Sequence, residues 1–431
     1  LLRYSGALVS EYLYTAMINI LLIHQNLPSQ FNNLITFLLK QKNVNLIGVK
    51  EKNPSSPFSN HSVLRGMNIV EYTLNSFNRE ADNYLVTMLD NRIARGQLVS
   101  EIAKALKQHN FYPDIIIGHT GWGETMFLKG QYPEAKLVWL QEYFYNQTAP
   151  DINFDPEFQV DDGINEISNI NRLTDIHACL DADVIITPTQ WQASLIPTEF
   201  QPKIKVVHDG IRTELFCPND DASFTLVNGK TLTKKDKVIT YIARGLEPYR
   251  GYHIFIRSIP EIQRLDPEIE IVIVGNDDVY YSPKLADSQL TYREYYLKEV
   301  ESKIDMSKIH FYSNLPQAQC INLMQLSTLH TYFTYPFYTS LTLLEAMSCG
   351  CVVLGSATEP VQEFITDKRT GYLFNFFDYK TFAQKAVEIV NQHPDERYAV
   401  GQRARNLIKG CLDWSTKIEP FWDRMLKLNK G

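Results

Sequence analysis

The chain has 431 residues, 44% hydrophobic and 21% charged, which is the balance of an ordinary folded protein and excludes intrinsic disorder. No stretch offers the roughly 18–20 uninterrupted apolar residues of a helical membrane span. The 49 acidic residues against 42 basic ones, a formal net charge of −7, tell against broad nucleic-acid binding and leave room only for a local basic cleft.

Residues 1–16 differ from the rest of the chain. Glu11 interrupts their apolar positions and no small-residue cleavage site succeeds them, so they make a poor signal peptide; Met17 reads as the natural start and 1–16 as an extension with little role in the fold. From Met17 onward, short apolar runs alternate with longer helical patterns. The strands expected in the first half are Ile18–Ile23, Val44–Gly48, Asp114–Gly118, Leu137–Leu140, Asp183–Thr187 and Lys205–Val207. Those expected in the second half are Val238–Ala243, Glu270–Gly275, Ile309–Phe311, His330–Phe333, Cys351–Leu354 and Gly371–Phe374. Many are continuous apolar runs, the pattern of parallel strands covered on both faces. Their alternation with helices predicts a doubly wound α/β fold.

Gly210–Lys237 breaks the pattern and is rich in Asn, Asp, Thr and Lys, so it reads as a linker with an exposed β-like excursion. The expected organisation is an extension (1–16), an N-terminal Rossmann-like domain (17–209), a C-terminal Rossmann-like domain (210–413) and a C-terminal amphipathic helix (414–431) returning toward the N-terminal domain. Ile418, Phe421, Trp422 and Met425 give that helix its apolar stripe. In open α/β sheets ligands sit at the carboxyl ends of strands, so two such domains are expected to face each other across one cleft. Of the six cysteines only Cys349 and Cys351 are close, at a spacing that suits neither zinc nor a redox pair. They read as buried free thiols in a reducing cytoplasm.

Two stretches carry chemistry. In "ARGLEPYRG" (243–251) Arg244 and Arg250 leave a strand in a loop bounded by Gly and Pro, and guanidinium groups suit phosphate oxygens. The alternative is a pair of surface arginines bound to Glu247 or to solvent. In "YPFYTSLTLLEAM" (335–347) a hydroxyl-rich loop with Ser340 leads into a helix starting near Leu341 and Thr342, whose unpaired N–H groups suit a diphosphate. Glu345 lies one turn in, where it can accept from a sugar or ribose diol. The alternative is a capping box, Thr342-x-x-Glu345, serving only the backbone.

With "HQNLPSQF" (24–31), "GHTGWGE" (118–124), "FDPEF" (154–158), "TPTQWQ" (187–192) and "VVHDGI" (206–211), these stretches resemble the family 4 glycosyltransferases of the GT-B fold, over about Met17 to Trp414. The resemblance implies that Arg244 and Arg250 neutralise the diphosphate of a UDP- or GDP-sugar, that Glu345 holds the nucleotide ribose, and that Leu315 lies near the base. It places His24 and Gln30 in a loop near the diphosphate and acceptor, and His119 near the transferred sugar. A structural role is the other reading of each histidine, and Glu124 reads as a cap for the next helix. The family's first glutamate is Phe337 here, so its role cannot be carried over, and a glycine usual in the His24 loop is Ser29.

The resemblance further implies transfer with retention, with neither metal nor cofactor. The acceptor would be a glycan or lipid-linked hydroxyl, handled in the cytoplasm or at the membrane periphery in bacterial polysaccharide synthesis. Asp181 and Asp183 read as helix and strand boundaries, and Asp277–Asp278 as better placed for a cleft. Tyr143, Phe144, Tyr145 and Trp191 are either sugar-stacking surfaces or core. A catalytically inactive GT-B scaffold, a nucleotide-sugar-binding subunit and a sugar-nucleotide epimerase remain as alternatives; a periplasmic-type sugar-binding protein would need a signal peptide.

Overall fold

A computed structural model describes residues 17–53, 61–74, 83–146, 149–159, 163–285 and 289–428; the extension expected at 1–16 lies outside them. The first sheet is built from β1 (Ile18–Ile23), β2 (Val44–Glu51), β3 (Asn68–Tyr72), β4 (Ile115–His119), β5 (Lys136–Leu140), β6 (Val184–Thr187) and β7 (Ile204–Val206). Its order is β3-β2-β1-β4-β5-β6-β7. A short antiparallel hairpin follows, β8 (Ser223–Thr225) and β9 (Thr231–Thr233), where the β-like excursion was expected. The second sheet comprises β10 (Val238–Gly245), β11 (Glu270–Asn276), β12 (Ile309–Tyr312), β13 (Leu329–Tyr332), β14 (Val353–Ser356) and β15 (Tyr372–Phe374), in the order β12-β11-β10-β13-β14-β15.

The doubly wound α/β expectation is met. Every ladder of the second sheet is parallel. Its strands alternate between two cores: Ile239, Tyr241, Ile271 and Ile273 join one cluster, and Val238, Ile242, Val272 and Val274 join the other. Burial on both faces is why the sequence shows continuous apolar runs. The strand β3 was not foreseen. It is an edge strand carrying Asn68 and Glu71, and only its register with β2 reveals it.

Both sheets reverse direction at their centre. Successive strands run outward from β1 through β2 to β3 on one side and from β4 onward on the other, so the switch point lies between β1 and β4. In the second sheet it lies between β10 and β13. Crossover chains leave in opposite senses there and open a crevice at the carboxyl edge. His24 and His119 therefore end up at one switch point, and the Arg250 and Thr334 loops at the other.

Residue contacts divide the chain into two compact units: Leu1–Leu140, Ile176–Ile185 and Arg424–Gly431 form one, and Gln141–Asp175 with Ile186–Asp423 form the other. The C-terminal segment opens with one π-helical turn, Trp414–Ile418, before the α-helix Glu419–Leu428. Trp414, Ile418, Trp422 and Met425 are buried, together with Leu426. Among the described residues no helix is long and apolar enough to cross a membrane. Among the described residues no two of the six cysteines form a disulfide, and Cys179, Cys349 and Cys351 are buried.

Candidate active site

The second unit holds the cavity. After β10 the chain makes a tight turn, Pro248–Arg250, closed by Gly251 at φ +66°. A Cβ on Gly251 would lie 2.4 Å from the Phe333 Cβ, so only glycine lets the β10 and β13 loops touch. That contact sets Arg250 beside the β13 loop. Its Nη1 donates to Thr334 Oγ1 at 2.9 Å and to the Tyr338 carbonyl at 3.2 Å. Arg244 is exposed, with its guanidinium 3.8 Å from the Tyr280 ring centre. Among the described residues neither arginine has a carboxylate within ion-pair distance. Glu247, the partner expected for surface arginines, is fully buried and accepts the backbone N–H groups of Tyr280, Tyr281 and Ser282 instead.

Arg244, Arg250, Leu315, Tyr338, Ser340 and Thr342 are among the residues that line a cavity of about 330 Å³. The helix Leu341–Ser348 starts at its edge with Ser340 as N-cap and no side-chain capping bond. Ser340 Oγ and Thr342 Oγ1 lie 2.6 Å apart, and Ser340 N–H donates to the Tyr332 hydroxyl at 2.7 Å. Thr342 is inside the helix, so no Thr342-x-x-Glu345 capping box forms, and among the described residues the first-turn N–H groups have no side-chain acceptor. Leu341 is 39% exposed and is not part of the lining. Glu345, one turn in, is partly buried. Burial pushes its carboxyl up to about 7, against the opposing pull of Arg212.

Phe337 is buried at 5% exposure in an aromatic cluster, with its ring centre 4.7 Å from that of Tyr143 and 4.2 Å from that of Tyr338. Tyr143 and Phe144 are core rather than sugar-stacking surface. The Tyr143 hydroxyl bonds Asp151, which also accepts from Tyr249 at 2.8 Å, so the segment after β5 braces the Arg250 turn. The Trp191 indole donates to Glu359 at 3.0 Å. In "FDPEF", Asp155 Oδ2 accepts from the Tyr335 hydroxyl at 2.7 Å and lies 2.9 Å from His253 Nε2. Burial would raise the Asp155 carboxyl, but the His253 and Tyr335 bonds outweigh it and hold it below the usual range. Asp155, Glu157 and His253 have the spacing of a metal site, yet Arg257 already pairs with Glu157. Sequence reasoning assigned no role to Asp151, Asp155 or Tyr280, although Asp155 lies in "FDPEF", because the pairs Asp151–Tyr249, Asp155–His253, Asp155–Tyr335 and Arg244–Tyr280 span 98, 98, 180 and 36 positions of the chain.

The first unit gathers His24, Gln30 and His119. His24 follows β1 and His119 ends β4, with ring centres 5.2 Å apart. The Asn26 N–H donates to His24 Nδ1 at 2.8 Å, so the ring proton sits on Nε2 and bonds Gln30 Oε1 at 3.0 Å. Burial, helped by His119, holds His24 well below the ordinary histidine range. Gly121 N–H donates to His119 Nδ1 at 3.0 Å, and Trp122 stacks on that ring at 4.3 Å. Ser29 has φ +41°, a left-handed conformation that explains why glycine suits this position. Glu124 does not cap a helix: it is buried, and Tyr72 donates to its Oε1 at 2.7 Å. Asp183 accepts from the Leu137 N–H as a strand-boundary residue, whereas Asp277 is taken by Arg293 at 2.7 Å.

Two doubly wound parallel sheets, each with polar loops at its switch point, define the GT-B class. Sucrose-phosphate synthase from Thermosynechococcus elongatus superposes with a TM-score of 0.69 at 15% identity, over 95% of this chain and 98% of that one. Anabaena HepE in complex with UDP-glucose superposes at 0.64 and 15% identity, over 95% and 99%.

Residues 40–216 match the family described as Glycosyl transferase family 4 group, and residues 225–407 match Glycosyl transferases group 1. The chain belongs to glycosyltransferase family 4/group 1. Among curated relatives it is similar to the Saccharomyces cerevisiae phosphatidylinositol N-acetylglucosaminyltransferase GPI3 subunit, 22% identical over 53% of this chain and 48% of that protein. It is also similar to the Mycolicibacterium smegmatis GDP-mannose-dependent alpha-(1-6)-phosphatidylinositol monomannoside mannosyltransferase, 22% identical over 55% and 60%. The chain spans about half the length of the curated relatives it matches.

Proposed function

We propose that this protein transfers a sugar from a UDP- or GDP-sugar to an acceptor hydroxyl with retention at the anomeric carbon. The observation that carries this reading is the pair Arg244 and Arg250 on the wall of one cavity, with no carboxylate paired to either among the described residues. Two cations without counter-ions beside an uncapped helix start make a diphosphate site. Leu315 is assigned to the base end, Ser340, Leu341 and Thr342 to the phosphates and Glu345 to the ribose. His119, with His24 and Gln30, is assigned to the transferred sugar and acceptor. The names of two relatives, both acting on phosphatidylinositol compounds, favour a lipid-linked over a free glycan acceptor. A cytoplasmic, membrane-peripheral role in bacterial polysaccharide synthesis completes the reading, with domains at 17–209 and 210–413.

The C1–O bond to the diphosphate breaks with its electron pair going to the leaving phosphate oxygen, where Arg244, Arg250 and the helix dipole stabilise the charge. The acceptor oxygen bonds C1 from the same face and its proton passes to that phosphate oxygen. Exclusion of water protects the oxocarbenium-like centre. The test is a thermal-shift panel of UDP, GDP, ADP and their sugar conjugates, with and without magnesium. A shift selective for one nucleotide diphosphate and independent of metal supports the reading. No shift with any of them from folded protein overturns it in favour of an inactive scaffold.

A further inference from the structure

The segment after β11, Asp277–Ser282, has neither helix nor strand, yet it forms the wall against which both arginines lie. Its shape is therefore set by side chains and not by a backbone ladder. Leu246 N–H donates to the Asn276 carbonyl at 2.9 Å and Tyr249 N–H to Ser282 Oγ at 3.1 Å. The fit is close: a Cβ on Gly245 would lie 2.6 Å from the Asp278 carbonyl oxygen and 2.9 Å from the Tyr280 ring.

The central fastening is Glu247. Its Oε2 accepts three consecutive backbone N–H groups, from Tyr280 at 3.2 Å, Tyr281 at 2.9 Å and Ser282 at 2.8 Å. Its Oε1 is buried with no hydrogen-bond partner among the described residues, an arrangement costly enough to need a reason. The same residue's carbonyl accepts the Arg250 N–H at 3.1 Å. Glu247 thus grips both the arginine turn and the aromatic segment.

We infer that Glu247 is a positioning residue for the diphosphate-binding arginines, acting through the Tyr280 and Tyr281 rings. Tyr280 lies 3.8 Å from the Arg244 guanidinium and Tyr281 lies 5.3 Å from that of Arg250. The Tyr281 hydroxyl is fixed in turn by a bond from Tyr338 at 2.8 Å. An aromatic face holds a guanidinium in place without neutralising it, whereas a carboxylate partner would compete with phosphate. Committing the carboxylate to backbone N–H groups and the rings to the arginines removes side-chain freedom before the ligand arrives. It leaves the cationic N–H edges for phosphate oxygens. The inference rests on the donor-site reading of this cavity.

Calorimetric titration of the full chain with uridine, UMP and UDP, and with guanosine, GMP and GDP, tests it. Affinity should rise with each phosphate in the wild type. Glu247→Gln keeps the side-chain shape and should cut the gain from monophosphate to diphosphate on the order of tenfold, leaving nucleoside affinity within about twofold. Tyr280→Leu combined with Tyr281→Leu should reproduce that loss, and adding Glu247→Gln to it should lose little more, because the three act as one unit. Equal weakening of all ligands, or an unchanged diphosphate gain in Glu247→Gln, overturns the inference. Arg250→Ala separates the two claims: if it abolishes the diphosphate gain and Glu247→Gln does not, only the inference falls. If Arg250→Ala also keeps the gain, the donor-site reading falls with it.

Discussion

Arg250 donates to Thr334 across 84 positions of sequence, with Nη1 and Oγ1 2.9 Å apart. The bond joins the loops that follow β10 and β13, the two strands flanking the switch point of the second sheet. It orients a guanidinium that would otherwise sample many rotamers. The remaining N–H groups of the fork need an acceptor, and a phosphate supplies one.

Arg250→Ala should therefore weaken nucleotide-diphosphate binding about 10- to 100-fold while nucleoside binding changes little. Arg250→Lys should recover only part of the loss, since a point charge reproduces neither the fork nor the Thr334 bond. Calorimetry with UDP and GDP measures both. Unchanged diphosphate affinity in the alanine variant would remove Arg250 from the site.

Glu345 gives a pH signature. Its folded-state pKa is raised to about 7 from the ordinary glutamate value, chiefly by burial. The folded state thus holds the proton where the unfolded state has released it. This contribution to stability is complete below the unfolded value and is lost as pH rises through about 7. Urea unfolding from pH 4.5 to 8 should show that decline, and Glu345→Gln should flatten it. An equal slope in the two proteins would contradict the assignment of this carboxyl to a dry environment.

The Asp155–His253 pair is structural and buried, with exposures of 1% and 0% for the two side chains. Asp155→Ala leaves His253 and the Tyr335 hydroxyl without their acceptor and should cost about 3 kcal/mol of unfolding free energy. The lowered pKa of Asp155 has the opposite sign to that of Glu345: its contribution is present above the unfolded value near 3.8 and is lost as pH falls through the lower folded value. Denaturant melts read the first effect, and acid titration of the wild type and Asp155→Asn reads the second. A loss under about 0.5 kcal/mol would make the pair a surface-like contact.

A distant residue caps the short helix Gln190–Leu195. Glu363 accepts the N–H groups of Gln190 and Trp191, each at 2.8 Å. Glu363→Ala should cost about 1 kcal/mol, as loss of an N-terminal acceptor does elsewhere, and Glu363→Gln about half of that. Thermal melts of the two variants beside the wild type decide it; identical midpoints would show that water serves these donors equally well.

How much could be read from the sequence varies by element. The central strands were legible because residues such as Ile271–Val274 are apolar at every position, the consequence of a core on each face. The edge strand β3 was not, since one partner and a half-wet surface leave no such run. Arg244, Arg250, Ser340 and Thr342 could be found because each lies at or after the carboxyl end of a strand, in a stretch of distinctive composition: Arg244 in the last residues of β10, Arg250 in the turn after it, and Ser340 and Thr342 where the β13 loop runs into its helix. Glu247 was visible only as the partner in the alternative, surface-arginine reading, because it stands beside two arginines in sequence; in the fold its carboxylate turns to Tyr280–Ser282.

By itself the sequence determined the family, the two doubly wound sheets and the loops that carry charge, because periodicity, turn residues and short motifs are local properties of the chain. Only the tertiary structure decided how those loops are held. The Glu247 fastening, the bonds of Asp151 to Tyr249 and of Asp155 to His253 and Tyr335, and the stacking of Tyr280 on Arg244 join residues from 33 to 180 positions apart. No local pattern encodes such pairs. They arise from strand order, which brings the ends of β10, β11 and β13 together at one switch point and leaves their side chains to find partners there.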